Sequence, residues 1–209
     1  MATLPAFAAT ELKTEEDKVS YGLGMMIGDR VLSNYGEIDY DLLLEGIKAQ
    51  KSGGPTLITI DEAQTVLQQQ QEREAAAKAA EAGKAGEAYL AANAAKEGVT
   101  VTDTGLQYEV LTQGDGAKPT LEDTVSVHYV GTLLDGREFD SSVARGEPAS
   151  FPLKGVIPGW TEALQLMNVG SKHLLTIPAD LAYGERGAGE LIGPGATLIF
   201  EVELLEIKQ

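Results

Sequence analysis

Nine aromatic and branched apolar residues crowd the turn-rich second half of this 209-residue chain: Tyr129, Phe139, Phe151, Val156, Ile157, Trp160, Tyr183, Ile192 and Phe200. Several stand beside Gly or Pro, as in Ile157-Pro158-Gly159-Trp160 and Ala182-Tyr183-Gly184, where loops border strands. Loops on a rigid scaffold are where pockets form, and side chains of this kind line an apolar one that works by excluding water. A hydrophobic core draws on the same residue types, so at this level pocket and core are both open.

Chemistry that needs other residue types finds little support. The chain has no Cys, which removes a thiol nucleophile, an iron-sulfur cluster, a Cys-based zinc site and a disulfide scaffold. Its two histidines, His128 and His173, do not begin an HExxH pattern, and no EF-hand spacing, G-x-S-x-G elbow or P-loop occurs. No metal or cofactor is expected. Gly22-x-Gly24-x-x-x-Gly28 superficially matches a dinucleotide fingerprint, but it lies inside a helical pattern with no strand before it. Gly24 and Gly28, one turn apart, fit close helix packing better, within the chain or between two chains. A net charge of −16, shared between both halves, opposes nucleic acid and anionic lipid; its ordinary use is solubility. No apolar run reaches the roughly 18 to 20 residues of a membrane span.

Three segments must position the aromatic cluster. Residues 1–58 are helical: apolar Val19, Leu23, Met26, Ile27 and Val31, then Leu42, Leu43 and Ile47, recur at helical spacing. Thr14, followed by three acids, starts the first helix; Asn34-Tyr35-Gly36 ends it, and Asp39 or Asp41 starts the second. Residues 59–97 open with a Thr59/Glu62 capping box and continue as an Ala-rich stretch almost without large apolar residues. The spacing predicts one long exposed connecting helix, with Gly83 and Gly86 the places for any bend or fraying; a disordered linker is the alternative. Residues 98–209 shift to period two, with strands over 105–111, 124–134, 172–177 and 197–207 and one short helix over 160–167, an α+β domain dominated by antiparallel sheet. The opening MATLPAFAAT carries an A-x-A pattern, Ala6-Phe7-Ala8, and residues 1–9 are expected as the tail of an export signal, with an ordinary cytoplasmic terminus as the alternative.

The segments VHYVGTLLDGREFDSS, GVIPGW, LAYGERGAG and ATLIFEVELLEI resemble the FKBP family of peptidyl-prolyl cis-trans isomerases, in that family's order, over about residues 105–207. The first half, with SYGLGMMIGDRV and the Ala-rich helix, is similar to the bacterial Mip-like and FkpA-like subgroup. The resemblance implies an FKBP-like sheet wrapped on a short helix. It implies a catalytic group of Asp140, Tyr183, Tyr129, Phe139 and Trp160, with Trp160 as the floor, and substrate contacts from Arg145, Phe151, Val156, Ile157, Ile192 and Phe200. It also implies a homodimer through residues 14–58, with Leu23, Gly24, Ile27 and Gly28 at the interface, a periplasmic or exported location, and macrolides as ligands of the pocket. Three positions depart from the best-known single-domain pattern: Ala149 for a common phenylalanine, Ala188 for a usual histidine, and Gly193 for the first of two prolines. These bear on substrate preference.

Rotation about an X-Pro bond breaks no bond, which fits the scarcity of nucleophiles, and its barrier is about 18 to 20 kcal/mol. The implied activity is isomerisation of proline-containing or unfolded polypeptides. A dimeric holdase chaperone binding unfolded chains between two arms is the alternative, and a docking adaptor is a third.

Overall fold

The computed structural model describes residues 11–208; the expected export-signal remnant, residues 1–9, lies outside them. The chain divides into two compact units, residues 1–64 and 65–209.

In the first unit, helix α1 (Glu15–Arg30) begins at the expected cap. The Thr14 hydroxyl accepts from the Asp17 amide at 3.0 Å, and the Asp17 carboxylate accepts from the Thr14 amide at 2.9 Å. A 3-10 turn, Leu32–Asn34, follows. Helix α2 (Tyr40–Ser52) is capped by the Asp39 carboxylate and ends on Gly53, whose φ of 67° suits only glycine without strain. Neither helix buries a residue, and Val19, Leu23, Met26, Leu42, Leu44 and Ile47 are exposed.

Helix α3 (Ile60–Ala94) opens with the Thr59/Glu62 box and runs unbroken for 35 residues. One expectation fails here. The helix is continuous through Gly83 and Gly86, but its C-terminal half is not an exposed spacer. Within the second unit a stripe at helical spacing, Ala79, Ala82, Gly83, Gly86, Leu90 and Asn93, is at least half-buried. The physical reason is backbone proximity. A Cβ on Gly86 would lie 2.4 Å from Thr197 Oγ1, and one on Gly195 would lie 2.6 Å from the Ala79 carbonyl oxygen. Small residues let the helix dock where large apolar ones would hold it off. Buried Asn93 then donates to Gln107 Oε1 at 2.9 Å, and Gln107 Nε2 donates to the Leu90 carbonyl at 2.9 Å.

The sheet has seven antiparallel strands: β1 (Val99–Val101), β2 (Gln107–Thr112), β3 (Thr124–Leu133), β4 (Glu138–Ser141), β5 (Ala149–Pro152), β6 (Lys172–Ile177) and β7 (Leu198–Lys208). The order is β1-β2-β6-β7-β3-β4, with β5 also pairing β3. Two short helices, α4 (Ser142–Arg145) and α5 (Pro158–Leu166), complete the α+β fold. The four longer strands coincide with the period-two segments; β1, β4 and β5, of three or four residues, are too short to show a period. One sheet face, with Val125, Val127, Leu175, Ile177, Val202 and Leu204, is fully buried, and Trp160, Ala163 and Leu164 of α5 belong to the same core. Each large side chain there contributes about 1.5 to 3 kcal/mol by burial. Pro158 starts α5 at the position that needs no amide hydrogen, and Gly159 lets its backbone touch β6, since a Cβ would lie 2.5 Å from Ile177 Cγ2.

Candidate active site

A cavity of about 790 Å³ opens beside α5. Ten of the eleven residues expected at the pocket line it: Tyr129, Phe139, Asp140, Phe151, Val156, Ile157, Trp160, Tyr183, Ile192 and Phe200. Trp160 is the hub. Tyr129, Phe151 and Phe200 meet its ring at 5.1, 5.7 and 5.2 Å with interplanar angles of 86°, 88° and 78°, the edge-to-face geometry that aromatic quadrupoles favour. Phe139 packs edge-on against Phe200 at 5.4 Å, so β3, β4, β5, α5 and β7 each send one ring into the cluster.

The eleventh residue, Arg145, joins the site through its polar rim. Tyr129 Oη donates to the Asp140 carboxylate; Arg145 donates to the same carboxylate and, through Nη2, to Tyr129 Oη at 2.8 Å. The guanidinium also lies 5.6 Å from the Tyr129 ring centre. Burial alone would raise the pKa of Asp140. The hydrogen bonds from Tyr129 and Arg145 and the Arg145 charge outweigh it, so the carboxyl titrates below its usual range. Tyr129 shifts upward, chiefly because it is desolvated and secondly because it donates to Asp140. The site therefore holds an ionised Asp and a neutral phenol at neutral pH. Tyr183 stands at the mouth, 40% exposed, and its hydroxyl makes no hydrogen bond among the described residues.

Sequence and structure together agree with known proteins. Residues 115–205 match the family model of the FKBP-type peptidyl-prolyl cis-trans isomerases, and residues 16–110 match that of the domain amino terminal to it. The FKBP-type 22 kDa peptidyl-prolyl cis-trans isomerase of Escherichia coli K12 is 50% identical over 202 residues, 93% of this chain and 96% of that one. This chain belongs to the FKBP-type peptidyl-prolyl cis-trans isomerases. The relative named Outer membrane protein MIP, of Legionella longbeachae, is 43% identical over 99% of this chain and 91% of its own length. Among solved structures, FkpA from Escherichia coli superposes with a TM-score of 0.73 at 37% identity, covering 95% of this chain and 99% of that one. A peptidyl-prolyl cis-trans isomerase from Pseudomonas syringae gives 0.58 at 46% identity over 61% and 94%.

Several residues that shape this FKBP pocket escaped the sequence reading. Gly131 is one: a Cβ there would lie 2.7 Å from the Phe139 ring and 2.8 Å from that of Phe200, so its hydrogen makes room for both. An isolated Gly within the run Tyr129-Val130-Gly131-Thr132-Leu133 was the available signal. Ser142, fully buried, accepts from the Tyr129 amide at 2.8 Å and fixes the strand where Tyr129 departs. The rim loop contributes Ala188, Gly189, Glu190 and Leu191. Ala188 and Ile192 exchange both backbone hydrogen bonds, at 2.8 and 3.2 Å, which closes the loop on itself. Of the three departures, Ala188 lines the pocket, Ala149 packs on the core from β5, and Gly193 follows that bridge.

In the first unit Gly24, Ile27 and Gly28 line a groove of about 480 Å³ together with α2 residues, and Leu23 is exposed beside it. Among the described residues no atom outside the helix's own backbone lies within 4 Å of a Cβ built on Gly24 or Gly28, so neither glycine is closely packed by them. Among the described residues no helix is long and apolar enough to cross a membrane, and no group of three or more His, Cys, Asp or Glu is placed to hold a metal.

Proposed function

We propose that the aromatic cavity is where the isomerase acts, with Trp160 as the floor under the proline ring and Asp140, Tyr129 and Tyr183 as its polar groups. The observation that carries this is the edge-to-face ring of Tyr129, Phe151 and Phe200 about Trp160, beside one ionised, fully engaged carboxylate. A planar amide is held by resonance that places charge on O and N, and water stabilises that form. A cavity that replaces water by aromatic faces favours the twisted, less polar state, which is differential binding of the transition state. About 7 kcal/mol of such preference gives roughly a 10⁵-fold acceleration. The uncommitted Tyr183 hydroxyl holds the substrate carbonyl, while Asp140 keeps Tyr129 and Arg145 in place.

The test is proline-limited refolding of a model protein. Asp140→Ala should slow catalysis about tenfold, a loss near 1.4 kcal/mol, and Tyr183→Phe about fivefold, one hydrogen bond. Wild-type speed in both variants would remove these residues from the site.

Two chains of this protein pair through residues 14–58, with Leu23, Gly24, Ile27 and Gly28 in the interface; the uncovered apolar faces of α1 and α2 support this. The same faces are the ground for a holdase contribution. The size and apolar lining of the cavity suit macrolides as well as prolyl peptides. An exported location is supported by the A-x-A stretch and by a relative named as an outer membrane protein. Fractionation of the native cell, followed by N-terminal sequencing, checks it.

A further inference from the structure

The rim loop serves two hollows. Residues 189–192 line the aromatic cavity and also a second groove of about 620 Å³, whose other walls come from α3 and the β3–β4 turn. All of these lie in the second unit. The groove has apolar walls, Ala82 of α3 and Leu133 of β3, with exposed Leu191 on the loop. Its charge runs against that of the protein. Lys78, Arg137 and Arg186 line it, against Asp135 and Glu190, in a chain of net charge −16. Arg137 is committed to Asp135 at 2.8 Å, whereas Lys78 and Arg186 make no ion pair among the described residues.

We propose that this groove is a second substrate site of the isomerase, which takes the stretch of client polypeptide next to the X-Pro bond when that stretch carries carboxylates. This rests on the cavity being where the X-Pro bond is turned over. Two observations select the occupant. The cavity and the groove share four consecutive residues, so the loop 189–192 is a wall common to both and an extended chain that passes over this rim from one meets the other. The two free cations reverse, locally, the repulsion that the rest of this surface exerts on acidic segments, so the groove discriminates among clients by charge. Docking of α3 through Gly86 and Ala79 holds Lys78 opposite the loop.

The full-length protein is tested with a short X-Pro peptide and with the same core extended at either end by Asp-containing or matched Asn-containing residues. Peptide affinity is read by fluorescence anisotropy and turnover by protease-free NMR exchange. The Asp-extended peptide should bind more tightly than the Asn-extended one by about twofold to fivefold per cation engaged. Lys78→Glu with Arg186→Glu should abolish that preference, raise KM for the Asp-extended peptide only, and leave kcat and the short peptide unchanged. Equal affinity of the two extended peptides would overturn the proposal, as would a preference that survives the double variant. A double variant that altered sedimentation mass instead of peptide affinity would make the groove a contact between copies and equally overturn it. Turnover of the short peptide reports separately on the cavity, so failure of the groove and failure of the active-site assignment are distinguishable.

Discussion

His173 is buried with neither ring nitrogen hydrogen-bonded among the described residues, stacked flat on Tyr108 at 5.5 Å and 9°. Val110 and Val202 flank it in register. Burial lowers its pKa first, and the Lys118 charge adds to that. In the unfolded chain it titrates near 6.5. Above about pH 6.5 both states are neutral and the residue has no pH effect. Below that value the unfolded chain takes up a proton that the fold refuses, so stability falls as pH drops from about 6.5 towards the folded pKa. The urea midpoint should therefore decline as pH falls below about 6.5, and His173→Phe should remove that slope. An unchanged slope would place the cause elsewhere. Asp140 acts in a separate window: its lowered pKa makes its contribution present above the ordinary carboxylate value, and that contribution is lost only as pH falls through the lower folded one. At this scale the cavity was legible through the family resemblance: Phe151 and Trp160 stand beside Pro152 and Gly159, but the residue types alone left pocket and core open. Ser142 was not, since a buried serine that fixes a strand carries no local signature in sequence.

Among elements, the longer strands were legible from periodicity and the starts of α1, α2 and α3 from their caps, but the docking of α3 was not. The missed signal was a stripe of small residues at the spacing of Ala79, Ala82, Gly83, Gly86 and Leu90. Small-residue spacing marks Gly24 and Gly28 as a packing pair, whereas helix propensity alone marks Gly83 and Gly86 only as poor helix formers. Hydrophobic periodicity cannot register an interface made by bringing backbones together. The two glycines of α3 should consequently respond in opposite directions. At Gly83 no atom lies within 4 Å of an added Cβ, so Gly83→Ala should stabilise by up to about 1 kcal/mol through helix propensity. At Gly86 the same gain meets Thr197, itself 4% exposed, and Gly86→Leu should lose about 1 to 3 kcal/mol by overpacking. Urea denaturation of the two variants decides it; stabilisation by both would mean that α3 is not docked.

At the scale of the whole molecule, the first unit buries none of the residues of α1 or α2, although Val19, Leu23 and Met26 of the one and Leu42, Leu43 and Ile47 of the other recur at helical spacing. Isolated helices of this length are marginal in water, so these need cover from elsewhere. On the pairing proposed above a second copy would supply it, since one apolar face presented by two identical chains can meet itself about a two-fold axis. The protein should then sediment at twice its 22.1 kDa chain mass. Val19→Glu with Met26→Glu, two exposed positions seven apart on one face of α1, should reduce it to a monomer. The functional consequence follows from effective concentration. Two weakly binding cavities carried by one assembly hold a long client more tightly than either alone, provided both are reached, and a short peptide can occupy only one. The monomeric variant should accordingly turn over short X-Pro peptides at the wild-type rate per chain while assisting a proline-limited protein substrate less well. Equal performance on the protein substrate would leave pairing without a catalytic role, and a wild-type mass for the double variant would place the interface outside this face of α1.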